Sequence, residues 1–305
     1  MMTKKQAWIE AVRPRTLPLS LAGIIFGSAI AFKEGFVNWV IFSFAILTTL
    51  LFQILSNLAN DYGDGVKGTD NNERIGPTRA LQSGIISAKQ MKTAVVLTAI
   101  ASLFSAACLI YYGTKNAPST VMWAYGILAI FCVVAAITYT VGKKAYGYQG
   151  LGDVMVFLFF GLVSVLGVYS LYTNTFNWNN LLPSCSIGLL SVAVLNLNNM
   201  RDYASDKKAG KNTLVVKMGV DYAKMYHTLI VLVAMITLFF FLLEAHSVIH
   251  FIALLPSISL FLHLMKVAKV QTTKDFDPEL KTVALSTFAI AVLYLLSVVI
   301  ENGVF

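Results

Sequence analysis

The 305-residue chain is 57% hydrophobic and only 12% charged, with a mean hydropathy of +0.71. That composition excludes a soluble domain and predicts an all-α bundle of membrane-crossing helices, since the short alternating segments of a transmembrane β-barrel are absent. The formal charge of +8 invites a nucleic-acid reading, but the cations are placed as on a protein that meets membrane lipid, not nucleic acid.

Residues 1–16 carry Lys4, Lys5, Trp8, Arg13, Pro14 and Arg15 and read as an interfacial lead-in. The apolar run at 17–33 has membrane length and reads as a retained first span, not a cleaved leader. Eight more runs follow at 37–58, 92–112, 119–141, 151–172, 181–198, 226–243, 248–265 and 282–300. No connection between them is long enough to fold separately, so residues 1–305 read as a single integral-membrane domain of nine transmembrane helices. Of the 23 Lys and Arg, 21 precede odd-numbered spans, and only Lys33 and Lys115 lie opposite. The positive-inside rule then predicts a cytoplasmic N-terminus and an external C-terminus. Cys108, Cys132 and Cys185 fall within spans at no metal-ligand spacing and read as packing residues. The four histidines do not pair at ligand spacing, apart from His246 and His250 on the outer side, away from other polar groups.

Two polar stretches, one after the second apolar run and one after the sixth, echo each other. The first is Asn57-Leu-Ala-Asn60-Asp61-Tyr62-Gly-Asp64, continuing to Asp70; the second is Asn198-Asn199-Met-Arg201-Asp202-Tyr203-Ala-Ser-Asp206. On a helix Asn198, Asp202 and Asp206 share one stripe, and Asn57, Asp61 and Asp64 another. Facing carboxylates repel unless a cation lies between them, and hard oxygen donors of this kind suit Mg²⁺, which completes its shell with water and phosphate oxygens. The two sets together would hold a diphosphate at the cytoplasmic mouth of the bundle. The repeat across four spans suggests a weak parallel duplication. Gly63-Asp64-Gly65-Val66-Lys67-Gly68 matches a dinucleotide fingerprint but lacks the strand–helix context that motif requires.

Cations follow both stretches. Most of them read as membrane-surface charge, but Arg79, after Arg74-Ile-Gly-Pro77, and Lys211, in Gly210-Lys211-Asn212-Thr213, sit in turn-like contexts suited to phosphate. Between the fourth and fifth spans, Tyr139, Lys143, Lys144, Tyr146, Tyr148 and Asp153 surround four glycines. Either this is an interfacial aromatic belt, or it is a pocket in which tyrosine faces stabilise a developing cation and Asp153 meets an acceptor hydroxyl.

These motifs resemble the UbiA-type superfamily of intramembrane prenyltransferases. Asn57 through Asp70, Arg74-Ile-Gly-Pro77 and Tyr146-Gly-Tyr148-Gln-Gly150-Leu-Gly152-Asp153 are similar to its menaquinone-pathway branch, which prenylates 1,4-dihydroxy-2-naphthoate. The resemblance covers the whole chain. It departs from the broad pattern at Gly68, where many relatives carry a third acid. It implies transfer from polyprenyl diphosphate with loss of diphosphate and CO₂, giving demethylmenaquinone in a bacterial cytoplasmic membrane. It further implies Mg²⁺ on Asn57, Asp61, Asp64, Asn198, Asp202 and Asp206, with Arg74, Arg79, Lys144 and Lys211 on the diphosphate. Tyr139 would then stand near the allylic cation, with Tyr146 and Asp153 in the acceptor pocket. Another aromatic acceptor, such as 4-hydroxybenzoate or homogentisate, is the nearest alternative. A cation-coupled transporter is the alternative from a different class.

Overall fold

The chain enters through a short capped helix, α1 (Lys4–Val12). Thr3 accepts from the Gln6 backbone while the Gln6 side chain accepts from the Thr3 backbone, which satisfies two of the exposed helix-end donors. In the computed structural model, which describes residues 3–68, 79–244 and 247–303, every regular element is helical. Nine helices among the described residues are long and apolar enough to cross a membrane.

The first span, α2 (Leu17–Lys33), coincides with its predicted run. The second does not: α3 spans Trp39–Lys67, nine residues past the predicted end. Asn38 caps its start, accepting from the Val40 and Ile41 backbone, and nothing stops it until Gly68, which takes a left-handed φ of 72°. Its 29 residues reach about 43 Å, well beyond a hydrocarbon core of about 30 Å. The last turns therefore carry Asp61 and Asp64 into the polar zone on a rigid helix rather than on a loop.

Next come α4 (Ala88–Thr114), started by a Ser87–Gln90 capping box, and α5 (Ser119–Thr138). The fifth span is compound: α6 (Gly152–Val156), a π-helical stretch Phe157–Gly167, and α7 (Val168–Thr173). Then α8 (Leu181–Arg201), α9 (Tyr203–Lys208) and α10 (Leu214–Met218) lead into α11 (Val220–Glu244). The chain closes with α12 (Pro256–Lys269), preceded by a 3₁₀ turn at Val248–Leu254, and α13 (Asp277–Asn302).

Helices α2 and α8 lie deepest, packed by α11 and α13; Phe26 stacks on Tyr294 with centroids 4.4 Å apart. By contrast α4 and α5 expose Leu97, Ile100, Phe104, Ile127 and Phe131, a surface suited to lipid. Two histidines that sequence spacing left apart are joined by the fold. His227 and His263 share a 2.8 Å hydrogen bond, and His263 meets Glu279 at 2.5 Å, clamping α11, α12 and α13 together. His250 bonds Ser297 and Glu301 of α13, whereas His246 lies outside the described residues.

The widened π turns bring the fifth span against α8 through small residues. A Cβ on Gly161 would lie 2.6 Å from the Ser184 carbonyl and 2.8 Å from Gly188 Cα, both backbone atoms that cannot swing aside. Gly161→Ala is therefore expected to lower the thermal midpoint in detergent, at a cost of about 1–3 kcal/mol from overpacking. Gly126→Ala on α5, where nothing lies within 4 Å, is the control. It should raise the midpoint slightly through helix propensity. Equal effects in the two variants would show that the α8 contact is not close-packed.

Candidate functional site

The C-terminal ends of α3 and α8 line the same end of one cavity, and Lys211 lines it with them. The left-handed Gly210 (φ 70°) turns the chain after α9, and the Lys211 backbone N–H donates to the Asp206 carbonyl at 2.9 Å. The ammonium then lies 3.7 Å from Asp206 Oδ1 and within electrostatic reach of Asp64. Burial alone would lower its pKa; Asp64 and Asp206, with the Tyr139 and Tyr148 phenols, together outweigh it, so it ends above the ordinary lysine value and Lys211 stays charged.

Each acid has a defined setting. Asp61, 1% exposed, accepts from the Ala80 backbone at 3.2 Å. Asp64 accepts from the Tyr148 hydroxyl at 2.8 Å. Asp202 takes a bidentate fork from Arg201, Nε to Oδ1 at 2.9 Å and Nη2 to Oδ2 at 2.7 Å. The same guanidinium reaches Asn198 Oδ1 at 2.7 Å and Asp277 Oδ1 at 2.6 Å, tying the start of α13 to the second acidic set.

The connection between α5 and α6 closes the site from a third side. A Cβ on Gly63 would lie 2.5 Å from Thr140 Oγ1, so the loop seats directly on the C-terminal end of α3. Lys67 donates to the Thr140 carbonyl at 2.7 Å, and Gly147 donates to the Tyr139 carbonyl at 3.0 Å. Tyr139 and Tyr146 meet edge to face at 5.2 Å, with the Tyr146 hydroxyl on the Ala135 carbonyl. Burial raises the pKa of both phenols, so they remain protonated; Lys211 pulls Tyr139 the other way without reversing the shift.

Below this mouth lies a cavity of about 390 Å³. Arg13, Asn57, Asp64, Arg79, Asn198 and Lys211 line its polar end, Tyr139 and Tyr146 its neck, and Leu109, Ile110, Phe159, Phe160 and Val163 its depth. Asp61, Asp202 and Asp206 are buried at the mouth behind these groups.

Two expected residues stand elsewhere than their sequence reading placed them, and a third lines the cavity with its amide engaged by other groups. Asp153 does not line the cavity; its Oδ2 accepts from Tyr226 at 3.1 Å. Gly152, whose Cβ position lies 3.3 Å from the Tyr139 hydroxyl, faces the neck, so the next residue round α6 turns to α11. Lys144 is exposed and outside the lining. Asn57 has committed its amide: the nitrogen donates to the Val12 carbonyl and Thr16, and the oxygen accepts from Gln53. It braces the Arg13 turn. Arg74, Asp70 and Pro77 lie outside the described residues.

Two cations read from sequence as surface charge belong to the site. Arg13 adopts a left-handed φ of 54°, uncommon for a residue with a Cβ, and lines the polar mouth. Arg201 holds Asp202. A cation beside Pro14 and one between Asn199 and Asp202 were the available signals, but backbone handedness is not legible in side-chain chemistry.

The donor set around the mouth is all hard oxygen, with no histidine or thiol among its acids. Among the described residues no group of three acidic, histidine or cysteine side chains is placed to hold a metal ion. Hard oxygen donors suit Mg²⁺ better than Zn²⁺, because Mg²⁺ is held by one or two carboxylates and takes its remaining positions from water and phosphate.

Membrane-length helices around a cavity with a charged mouth and an apolar depth define an integral-membrane enzyme for a substrate with an anionic head and a lipid tail. The chain belongs to the UbiA prenyltransferase family, whose profile matches residues 20–288. It is 42% identical to the 1,4-dihydroxy-2-naphthoate octaprenyltransferase of Haemophilus influenzae over 97% of both chains. It is 44% identical to the Escherichia coli protein of that name, over 81% of this chain and 80% of the relative. The fold is similar to a UbiA homolog from Archaeoglobus fulgidus bound to DMAPP and Mg²⁺, with a TM-score of 0.62 at 14% identity over 94% and 98% of the two chains.

Proposed function

We propose that the protein transfers a polyprenyl chain from polyprenyl diphosphate to 1,4-dihydroxy-2-naphthoate, releasing diphosphate and CO₂ and giving demethylmenaquinone. The observation that carries this reading is Lys211, buried between Asp64 and Asp206 at the mouth of an apolar cavity. A cation held between two acid sets is placed for an anion that arrives with its own metal, and the cavity below takes an apolar chain. The names of the relatives support the acceptor and the donor. The acids lie at helix ends rather than at the middle of the bundle, where transporter sites are usually found.

Asp64, with Asp61, Asp202 and Asp206 buried behind it at the mouth, would hold Mg²⁺ on the diphosphate. When bound, the metal neutralises charge on the leaving group. Arg13, Arg79 and Lys211 line the same mouth and stabilise negative charge developing on the bridging oxygen as the C–O bond breaks. Tyr139 and Tyr146 present ring faces and edges at the neck, where an allylic cation would form, and the apolar wall below excludes water from it. The electron-rich naphthoate ring supplies its own nucleophile, so the protein's work is ionisation and alignment. Given the cation asymmetry across the spans, the mouth faces the cytoplasm and the N-terminus lies on the same side.

The test is a panel of dihydroxynaphthoate, 4-hydroxybenzoate and homogentisate, each with one polyprenyl diphosphate and with product masses read, with and without chelator. A dihydroxynaphthoate product that disappears on chelation and returns with Mg²⁺ is expected. Preference for another ring would overturn the acceptor assignment; chelator-insensitive turnover would overturn the metal.

A further inference from the structure

Tyr148 touches both halves of the site. Its hydroxyl donates to Asp64 Oδ1 at 2.8 Å, which belongs to the first acidic set. Its carbonyl accepts from the Asn212 backbone at 3.0 Å, the residue next to Lys211 in the second. Its ring lies under two ammonium groups at once, with Lys67 Nζ 4.1 Å and Lys211 Nζ 5.5 Å from the centroid. Neighbouring bonds fix the same strand of loop: Lys217 donates to the Gln149 carbonyl at 3.0 Å, and Lys67 to the Thr140 carbonyl.

Each contact has a physical consequence for a bound diphosphate. A carboxylate that accepts a phenolic hydrogen bond is held in one rotamer, so Asp64 presents Oδ2 in a fixed direction. An aromatic face attracts a cation by its quadrupole, so the ring draws Lys67 and Lys211 toward one point. The backbone bond to Asn212 sets the distance between the acidic sets, because the ring and the Lys211 turn then move as one body. The sequence places three tyrosines in this loop, and the structure separates their work. Tyr139 and Tyr146 line the cavity, whereas Tyr148 stands beside it and acts on the groups that line it.

We propose that Tyr148 is the positioning residue that couples the two aspartate sets, aiming Asp64 and Lys211 at one diphosphate. This rests on the diphosphate-binding reading above, but not on the identity of the acceptor.

The test uses the full detergent-purified chain, with inorganic pyrophosphate as the probe and calorimetry as the readout. Tyr148→Phe keeps the ring and the backbone bonds and removes only the hydroxyl; Tyr148→Leu removes the ring as well. Tyr148→Phe should weaken Mg²⁺-dependent pyrophosphate binding by about tenfold or more, as expected for a hydrogen bond to a charged group. Tyr148→Leu should weaken it further. In turnover, the KM for prenyl diphosphate and the Mg²⁺ half-saturation should rise, while the acceptor KM stays put. Melting of Tyr148→Phe without Mg²⁺ should match the unaltered protein, which a merely structural role would not allow. Unchanged pyrophosphate affinity in Tyr148→Phe would overturn the proposal, and so would a lowered melting temperature together with a raised acceptor KM. If the unaltered protein binds pyrophosphate but makes no dihydroxynaphthoate product, only the acceptor assignment falls. If it binds no pyrophosphate, both readings fall.

Discussion

Asp64→Asn and Asp206→Asn are each expected to cut prenyl transfer by at least about 10³-fold while leaving a folded, membrane-inserted protein. On the proposed reading these carboxylates would hold the metal that neutralises the leaving diphosphate, and a thousandfold is about 4 kcal/mol of barrier. Asparagine keeps the shape of the side chain and one oxygen, so packing around position 64 is retained. Asp202→Asn should behave differently. Its carboxylate is gripped by Arg201 inside the bundle, at 3% and 7% side-chain exposure for the two partners. Neutralising Asp202 leaves the buried Arg201 with the half-exposed Asp277 as its remaining carboxylate, so part of the cost of breaking a buried ion pair is incurred. Asp202→Asn should therefore lose both turnover and thermal midpoint, whereas Asp64→Asn, which leaves the buried Lys211 ammonium with Asp206 beside it, should lose turnover with a smaller drop in midpoint. The pair is read by circular dichroism melting beside a radiolabelled transfer assay. Near-normal turnover in Asp64→Asn would remove that carboxylate from the reaction. Identical melting of all three variants would show that the Arg201 fork contributes little.

The contrast between these acids marks where the sequence was informative. The spans were legible because a membrane core demands runs of about 20 apolar residues, and the alternation of cations numbered them independently. Both acidic sets were legible from their shared Asn-x-x-x-Asp-Tyr spacing. The helix end at Lys67 was not, since apolarity stops at Leu58 while helical hydrogen bonding continues to the glycine at 68. What each polar side chain faces depends on rotation about a helix and on partners distant in sequence. Asn57 looked like a ligand because it lies one turn before Asp61, yet its amide is satisfied by α1 and Thr16, more than forty positions earlier. Asp153 looked like a pocket acid because it ends a glycine-rich loop, yet one step round α6 points it at Tyr226. Arg201 reads as topology-setting charge until the fold supplies Asp277 from the far end of the chain. Composition and spacing place residues near a site; only packing decides which of them face it.

Lys211→Met should lower turnover by about 10²–10³-fold, the usual scale for removing one preorganised charge from a developing anion. Methionine matches the stem of lysine, so packing at this 8%-exposed position is largely retained and the change is electrostatic. The same substitution should increase the thermal stabilisation that Mg²⁺ gives the protein. In the unaltered chain Asp64 and Asp206 already have the Lys211 ammonium between them, and this raises the lysine pKa despite burial. Without it the two carboxylates repel each other in a poorly solvated space, so the metal-free protein melts earlier and an added divalent cation relieves more strain. Activity and Mg²⁺-dependent stabilisation thus move in opposite directions, which mere misfolding would not produce. If Mg²⁺ stabilises Lys211→Met no more than the unaltered chain, the ammonium and the metal do not answer to the same carboxylates, and the diphosphate must be held by cations elsewhere in the mouth.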